Sequence, residues 1–137
     1  MNHYKKYLKV VIGAIGDTTT NDTQLRNLCA DLKIPLTGIY ESDRPHSSFK
    51  NNTCFIANLD TIGMPGSHWI CGINTGPKTI LYDSFGRNVK LKSLKKRKVL
   101  YTESDKEQDI LESDCGARCI AALLVYYHHG LGAYMSL

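Results

Sequence analysis

Four side chains of the types that nucleophilic acyl transfer requires follow one another along the chain: His68, Asp83, Gln108 and Cys115. Cys115 opens an apolar run that predicts a helix. At the start of a helix, the unpaired backbone N–H groups and the positive end of the dipole favour a thiolate over a thiol. Because the thiolate is the reactive form, Cys115 is the candidate nucleophile.

The other three residues have roles that complement this thiol. His68 is expected to take the proton of Cys115, and Asp83 to hold the imidazole in one tautomer and stabilise its positive charge. The amide of Gln108 and the backbone N–H of Cys115 can donate hydrogen bonds to a developing oxyanion. The order of these residues predicts a Cys-His-Asp triad with a glutamine oxyanion hole.

Each of these residues also has a structural interpretation. A histidine at the edge of a strand is usually a partly exposed polar residue, and an aspartate before Ser-Phe-Gly is typical of a turn. Asp114 precedes the thiol and is expected to cap its helix. The catalytic roles of His68 and Asp83 therefore depend on whether the fold brings their side chains together.

The five cysteines form neither a CxxC pair nor a Cys/His metal pattern, so neither a disulfide framework nor a metal site is expected. Cys29, Cys54 and Cys71 are predicted to be small core residues. Cys119 lies one helical turn beyond Cys115, either buried beneath the site or placed to trap an oxidised nucleophile. A working thiolate requires a reducing compartment.

The elements that position these residues can be placed from periodicity and turn signals. A helix is predicted from Asn21 or Asp22 to about residue 33, and a loop beside the cleft over 34–51. Strands are predicted at about 53–59, 68–73, 79–83 and 99–102. The hairpin formed by the second and third of these strands would bring His68 beside Asp83. The nucleophile helix is expected to run to about residue 128 and to pack on the sheet through Cys119, Ala122, Leu123 and Tyr126.

Length and composition predict one domain over residues 1–137. Hydrophobic residues at 42% and charged residues at 22% are ordinary globular values. Residues 1–20 are expected to form an amino-terminal extension, with its short apolar part as a strand or a small element packed on the core rather than a signal peptide. No segment is long enough to span a membrane.

Three motifs carry a resemblance to a known family: GSHWICGI, ILYDSFG and QDILESDCGARC. Together with residues 21–45 and 52–60, they resemble the adenovirus-type (adenain-like) cysteine proteases and, more distantly, the SUMO-specific proteases. The resemblance implies an α+β, papain-like fold in which a small mixed or antiparallel sheet packs against a central helix that bears the nucleophile. The chain ends soon after that helix, which suggests a minimal version, and Asp83 replaces the glutamate of the adenovirus enzymes.

The resemblance also implies a function. It suggests a monomeric thiol endopeptidase, of a virophage or transposon-like virus, that cuts capsid or core precursors during virion maturation. Its location would be the virion and the cytoplasm or nucleus of the infected cell. No cofactor would be required, although DNA or a peptide could activate the enzyme. Trp69 and Gly66 are the implied substrate-binding residues at glycine-containing sites, and core packing is the alternative for Trp69.

Residues 87–98 contain seven basic side chains and no acid, which exceeds the net charge of +4 of the whole chain. This basic segment is either a solvated surface loop or short helix, or a contact for the phosphate backbone of DNA, and KKRK is also typical of nuclear import signals. The candidate nucleic-acid contacts are Lys90, Lys92, Lys95, Lys96, Arg97 and Lys98. Two alternative functions remain: a deubiquitinase or SUMO-like modifier protease, and a catalytically silent DNA-binding particle protein.

Overall fold

A five-stranded mixed sheet lies at the centre of the fold in a computed structural model that describes residues 3–16, 21–41, 50–59, 68–86, 89–91, 94, 97–103 and 114–137. The strands are β1 (Leu36–Glu41), β2 (Thr53–Asn58), β3 (Trp69–Thr75), β4 (Lys78–Tyr82) and β5 (Lys98–Tyr101). The helices are α1 (His3–Ile15), α2 (Asp22–Asp31), α3 (Cys115–His129) and α4 (Leu131–Met135). The predicted α+β class and the mixed sheet are therefore confirmed.

The strands follow one another across the sheet in chain order. The two inner pairings, β2–β3 and β3–β4, are antiparallel, whereas the outer pairings, β1–β2 and β4–β5, are parallel. A tight connection joins β3 to β4, and Gly76 in it has a positive φ of 61°. The predicted hairpin is therefore present, and it occupies the middle of the sheet.

Both faces of the sheet are covered. One face, which includes Cys54 and Ile73, packs against the helices, and α3 is buried along almost its whole length from Cys115 to Val125. The other face, centred on Phe55 and Ile70, is covered by leucines that follow β4 in the chain. Because both faces are buried, β3 reads as a nearly continuous apolar run rather than as an alternation.

Several predicted elements are confirmed with ends shifted by one or two residues: α2, β2, β3, β4, β5 and α3. Asn21 caps α2 as expected. Its side chain accepts a hydrogen bond from the backbone of Gln24 at 2.8 Å, and the Gln24 side chain accepts one in return from the backbone of Asn21 at 2.9 Å. This reciprocal capping box satisfies two backbone donors at the helix start.

The predicted loop over 34–51 is wrong for its first part, because β1 lies there and pairs with β2. Pro35 and Gly38 are typical of loops, yet the register shifts between Leu36 and Ile39, and such a bulge accommodates a glycine. The Tyr40 ring folds over Gly38, where an added Cβ would lie 2.6 Å from its hydroxyl oxygen. Tertiary pairing with β2 thus overrides the local turn signals.

The amino-terminal residues form a helix, α1, rather than the strand that was one expectation, and this helix packs on the core. Its apolar side chains repeat with helical spacing: Tyr4, Tyr7, Leu8, Val11, Ile12 and Ile15. That period was the available sequence signal, and the interspersed lysines lie on the exposed side. The short helix α4 was also not predicted, and its Tyr134 is fully buried and donates a hydrogen bond to the backbone oxygen of Ile80 at 2.9 Å.

Candidate active site

The β3–β4 hairpin places a histidine and an aspartate at the same end of the sheet. His68 immediately precedes β3 and Asp83 immediately follows β4, and the register pairs Cys71 with Tyr82. The His68 Nε2 atom lies 2.6 Å from Asp83 Oδ1, and the two side chains are only 6% and 1% exposed. The predicted contact between these residues is confirmed.

A tight turn fixes the carboxylate of Asp83. The Gly86 backbone N–H donates to the Asp83 carbonyl oxygen at 2.8 Å, and the Phe85 N–H donates to Asp83 Oδ1 at 2.9 Å. Gly86 has a φ of 69°, a conformation that favours glycine. Asp83 is therefore a turn residue and the partner of His68 at once, so its structural and its functional interpretation are compatible.

Phe85 stacks on the imidazole of His68. The ring centroids are 4.4 Å apart, and the planes differ by 15°. A phenyl face against the ring limits its rotation, covers one face from water, and favours an imidazolium through the ring quadrupole. This contact was not predicted from the sequence. The available signal was an aromatic residue two positions after the candidate acid in the same turn.

Cys115 is the first residue of α3, and its side chain is buried beside the hairpin. The backbone N–H of Trp69 donates a hydrogen bond to Cys115 Sγ at 3.3 Å. A backbone donor aimed at sulfur stabilises a thiolate, and it adds to the effect of the helix start. This role of the Trp69 backbone could not be predicted from the sequence, because any residue except proline provides the same N–H group.

The second ring nitrogen of His68 is available to the thiol. Nδ1 is buried and has no hydrogen-bond partner among the residues that the structure describes, whereas Nε2 is held by Asp83. Burial by itself lowers the pKa of His68. The hydrogen bond with Asp83 and the interaction with Cys115 outweigh burial, so the pKa of His68 is raised above its ordinary value. The arrangement can accept a proton from Cys115 and retain it as an imidazolium.

The other predicted site residues have different outcomes. The Trp69 indole is 9% exposed and packs in the core cluster that contains Cys71 and Cys115, so the core-packing alternative describes its position. Its contact with substrate stays a prediction. Gly66 and Gln108 lie outside the described residues.

Asp114 occupies the N-cap position of α3, but the predicted side-chain cap is wrong. Its carboxylate instead accepts a hydrogen bond from Arg118 Nε at 2.9 Å, one turn along the helix. A charged donor with this i,i+4 geometry competes successfully with the neutral backbone N–H groups. Asp114 is therefore bound to a cation rather than to the helix end.

The basic segment is anchored by its apolar residues. Leu91 and Leu94 are buried against the face of the sheet that contains Phe55, so these two described residues of the segment are not solvated. Lys90 and Lys98 are exposed and remain candidate phosphate contacts. Lys92, Lys95 and Lys96 lie outside the described residues.

Arg97 has a structural role in this segment. Its guanidinium donates to the Gly76 oxygen at 2.9 Å, to the Lys78 oxygen at 2.8 Å, and to Thr79 Oγ1 at 2.8 Å. These bonds connect the residue before β5 to the β3–β4 turn. Because these hydrogen bonds occupy the guanidinium, we do not expect Arg97 to contact phosphate.

The four other cysteines are buried, as predicted for core residues, and each has a free thiol. Burial raises the pKa of Cys29 and of Cys54 to about 12, and it raises that of Cys119 as well. These thiols are therefore poor nucleophiles near neutral pH. Cys119 lies beneath the site and interacts with Cys71 and Cys115.

No group of three histidine, cysteine or acidic residues in the described part of the chain is arranged to hold a metal ion. No helix there is long and apolar enough to cross a membrane.

In comparisons with known proteins, the sequence matches no protein-family model and no curated protein. The functional argument therefore rests on the site itself.

Proposed function

We propose that this protein is a cysteine endopeptidase in which Cys115 is the nucleophile, His68 the general base and acid, and Asp83 the residue that orients His68. One observation carries the proposal. A buried imidazole has Nε2 held by a carboxylate at 2.6 Å, and its Nδ1 is left for a thiol at the start of a helix. This is the relationship among nucleophile, base and orienting acid that acyl transfer requires.

The reaction would proceed in two balanced steps. His68 takes the proton of Cys115, and the thiolate attacks the carbonyl carbon of the scissile peptide bond. The tetrahedral intermediate collapses to a thioester as the imidazolium gives that proton to the departing amine. A water molecule, deprotonated by His68, then attacks the thioester, and the acid is released as the proton returns to sulfur.

Two further groups would contribute to this reaction. The Trp69 N–H, 3.3 Å from the sulfur in the resting site, stabilises the thiolate before attack. The developing oxyanion would be bound by the Cys115 backbone N–H and, as the sequence predicts, by the Gln108 amide. Removing one such donor typically costs about 10²–10³ in rate.

The finer assignment is an adenain-like, papain-like enzyme that cuts viral precursors after glycine-containing sequences. Two features support it. The functional residues have the chain order of that family, and the helix that bears the nucleophile packs on a mixed sheet. The substrate class rests on the resemblance in sequence. Activation by DNA would use the exposed Lys90 and Lys98, where a fall in affinity with rising salt is expected.

A modifier protease is the second candidate, because an aspartate is the usual acid in that related group and Asp83 occupies this position. The substrate distinguishes the two. A modifier protease would cut after the folded modifier in a linear SUMO–peptide fusion, whereas a maturation protease would cut unstructured glycine-containing peptides and leave the fusion intact.

The test is cleavage of a synthetic peptide library in which glycine occupies each position in turn, with products mapped by mass spectrometry. Duplex DNA and the linear SUMO fusion are included in parallel reactions. We expect cleavage by the wild type and by Cys29→Ala, and none by Cys115→Ala. Cleavage that persists in Cys115→Ala, or no cleavage of any substrate with or without DNA, would contradict the proposal.

A further inference from the structure

A buried ion pair lies directly beside the proposed nucleophile. Asp114 precedes Cys115, and its carboxylate is 2.9 Å from Arg118 Nε. The two side chains are only 8% and 11% exposed. Charged groups are rarely buried to this extent unless they are paired, so this pair is a specific feature of the first turn of α3.

The guanidinium also contacts the amino-terminal helix. Arg118 Nη1 lies 3.4 Å from the Tyr4 hydroxyl oxygen, and that oxygen accepts a hydrogen bond from the Tyr82 hydroxyl at 2.7 Å. Tyr82 is the last residue of β4, immediately before Asp83. The network therefore connects α1, the start of the nucleophile helix and the strand that Asp83 follows.

The charges in this network bear on the thiol. A lone carboxylate next to Cys115 would disfavour a thiolate by like-charge repulsion, and the Arg118 cation offsets that repulsion. Burial by itself lowers the pKa of Arg118. The hydrogen bond with Asp114 and the contact with Tyr4 outweigh burial, so the pKa is raised and the guanidinium stays charged. The hydrogen-bonded pair therefore carries no net charge.

Other titratable groups also surround this first turn in the described part of the chain. They come from the hairpin, α1 and α3, and they are His68, Cys71, Tyr82, Asp83, Tyr4 and Cys119. No substitution in the Asp114–Arg118 pair removes any of these groups, and Asp114→Asn leaves the hydrogen bond between Tyr82 and Tyr4 untouched. A shift in the pH dependence of Cys115 in Asp114→Asn therefore reports on the charge of the pair, whereas Arg118→Gln also removes the contact with Tyr4.

We infer that Arg118 is a positioning residue for the nucleophile: it neutralises Asp114 and, through Tyr4, holds the first turn of α3 against the strand that ends at Tyr82. The inference deepens the proposed function, because it rests on Cys115 being the nucleophile. It assigns to α1 a part in organising the site.

The experiment measures the rate of alkylation of Cys115 by iodoacetamide from acidic to alkaline pH, with each cysteine followed by mass spectrometry. The variants are Arg118→Gln, Asp114→Asn, the double variant and Arg118→Lys. A matched control is Arg26→Gln, because Arg26 forms an exposed i,i+4 pair with Asp22 at 3.8 Å on α2. Thermal unfolding is recorded for every variant.

Arg118→Gln leaves the Asp114 charge uncompensated. The pH of half-maximal alkylation is expected to rise by about one unit. Asp114→Asn should lower this pH, and the double variant should have a value close to that of the wild type. Arg118→Lys keeps the positive charge, so its value should lie closer to that of the wild type than to that of Arg118→Gln. Arg26→Gln should change nothing.

Equal half-maximal pH values for Arg118→Gln, Asp114→Asn and the wild type would overturn the inference, even if both variants melt earlier. If Arg118→Gln does not fold, Asp114→Asn and the double variant still test the inference. It requires the half-maximal pH to be lowered in Asp114→Asn and to be close to the wild-type value in the double variant. Failure of the proposed function is separate: the wild type would then cleave no peptide, whatever the shifts.

Discussion

At the residue scale, three neighbours determine what the imidazole of His68 can do. Asp83 holds one edge at 2.6 Å, Phe85 covers one face at a centroid distance of 4.4 Å, and Cys115 interacts with the ring. The carboxylate sets the tautomer, and the phenyl ring sets the plane. Together they present Nδ1 to the thiol and favour the protonated ring.

Replacing Phe85 by leucine should make the protonated form of His68 less stable. Loss of the stacked ring removes a favourable interaction of about 0.5–1 kcal/mol with the cation. That change corresponds to a fall of about half a unit in the pKa of His68. The alkaline limb of the pH–rate profile for peptide cleavage should move to lower pH by that amount, whereas Phe85→Tyr should keep the wild-type profile. Identical profiles for the leucine and tyrosine variants would exclude this role of Phe85.

At this scale, the contact that could be predicted was the one set by topology. A hairpin that begins after His68 and ends before Asp83 leaves few other positions for the two side chains. The Phe85 stack, the Trp69 N–H bond to sulfur and the Asp114–Arg118 pair depend on turn conformation and rotamers. Turn conformations and rotamers are determined by the packing of the surrounding residues, so these contacts could not be predicted from the sequence.

At the element scale, the central hairpin is positioned by close backbone approach and by a cation. Gly72 in β3 faces Phe55 of β2, and an added Cβ would lie 2.4 Å from the Phe55 ring. Arg97 binds the turn between β3 and β4. Both contacts act on the β3–β4 hairpin, which His68 precedes and Asp83 follows, so a shift of either strand would move one of these two side chains.

Gly72→Ala should destabilise the fold. The new methyl group overlaps the Phe55 ring, and overpacking of this kind costs about 1–3 kcal/mol. Gly13→Ala is the matched control, because nothing lies within 4 Å of its added Cβ and alanine favours the α1 helix by about 0.5–1 kcal/mol. Urea unfolding should give opposite signs for the two changes in the free energy of unfolding. A stable Gly72→Ala variant would contradict the described packing.

Substitutions of Arg97 and of the exposed lysines should have different effects on stability and on the salt dependence of DNA binding. Arg97→Gln removes hydrogen bonds to Gly76, Lys78 and Thr79, so it should lower the free energy of unfolding by about 1–2 kcal/mol and leave the salt dependence unchanged. Lys90→Gln should instead leave stability intact and reduce the salt slope by about one. The measurements are urea unfolding and duplex binding over a salt series. A reduced salt slope of duplex binding in Arg97→Gln would show that Arg97 contacts phosphate, against this prediction.

The elements differ in how well the sequence predicts them. The α2 helix has a capping box and β3–β4 a clear turn, so local signals suffice. For β1 the local signals favour a loop, and only pairing with β2 makes the segment a strand. In α1 the helical period is present, but Gly13 and the lysines make it hard to recognise.

At the scale of the whole molecule, the site draws on both ends of the chain. The α1 helix contributes Tyr4, the middle contributes the hairpin, and α3 contributes Cys115. The α+β class was implied by the family resemblance, and local patterns predicted four of the strands and the helices α2 and α3. The packing of α1 against α3 could not be predicted, because it joins segments that are more than 100 residues apart.

Stability should depend on pH through His68. Because its pKa is raised in the folded protein, the folded state binds a proton more tightly than the unfolded chain, whose histidine titrates near 6.5. This stabilisation is complete below about pH 6.5 and is lost as pH rises through the folded pKa. The difference in free energy of unfolding between the wild type and His68→Gln should therefore shrink above about pH 6.5, as followed by urea unfolding at a series of pH values. A difference that grows with pH would contradict the raised pKa.

The most direct test of the central claim is a competition among the five cysteines for limiting iodoacetamide at neutral pH, read by site-resolved mass spectrometry. The account predicts that Cys115 reacts well before Cys29 and Cys54, whose thiols are held protonated by burial. It also predicts that this preference is lost in His68→Ala and kept in His129→Ala, a change at the exposed end of α3. If Cys115 reacts as slowly as the core thiols, or equally fast without His68, then the site is not a thiolate–imidazolium pair and the proposed chemistry is wrong.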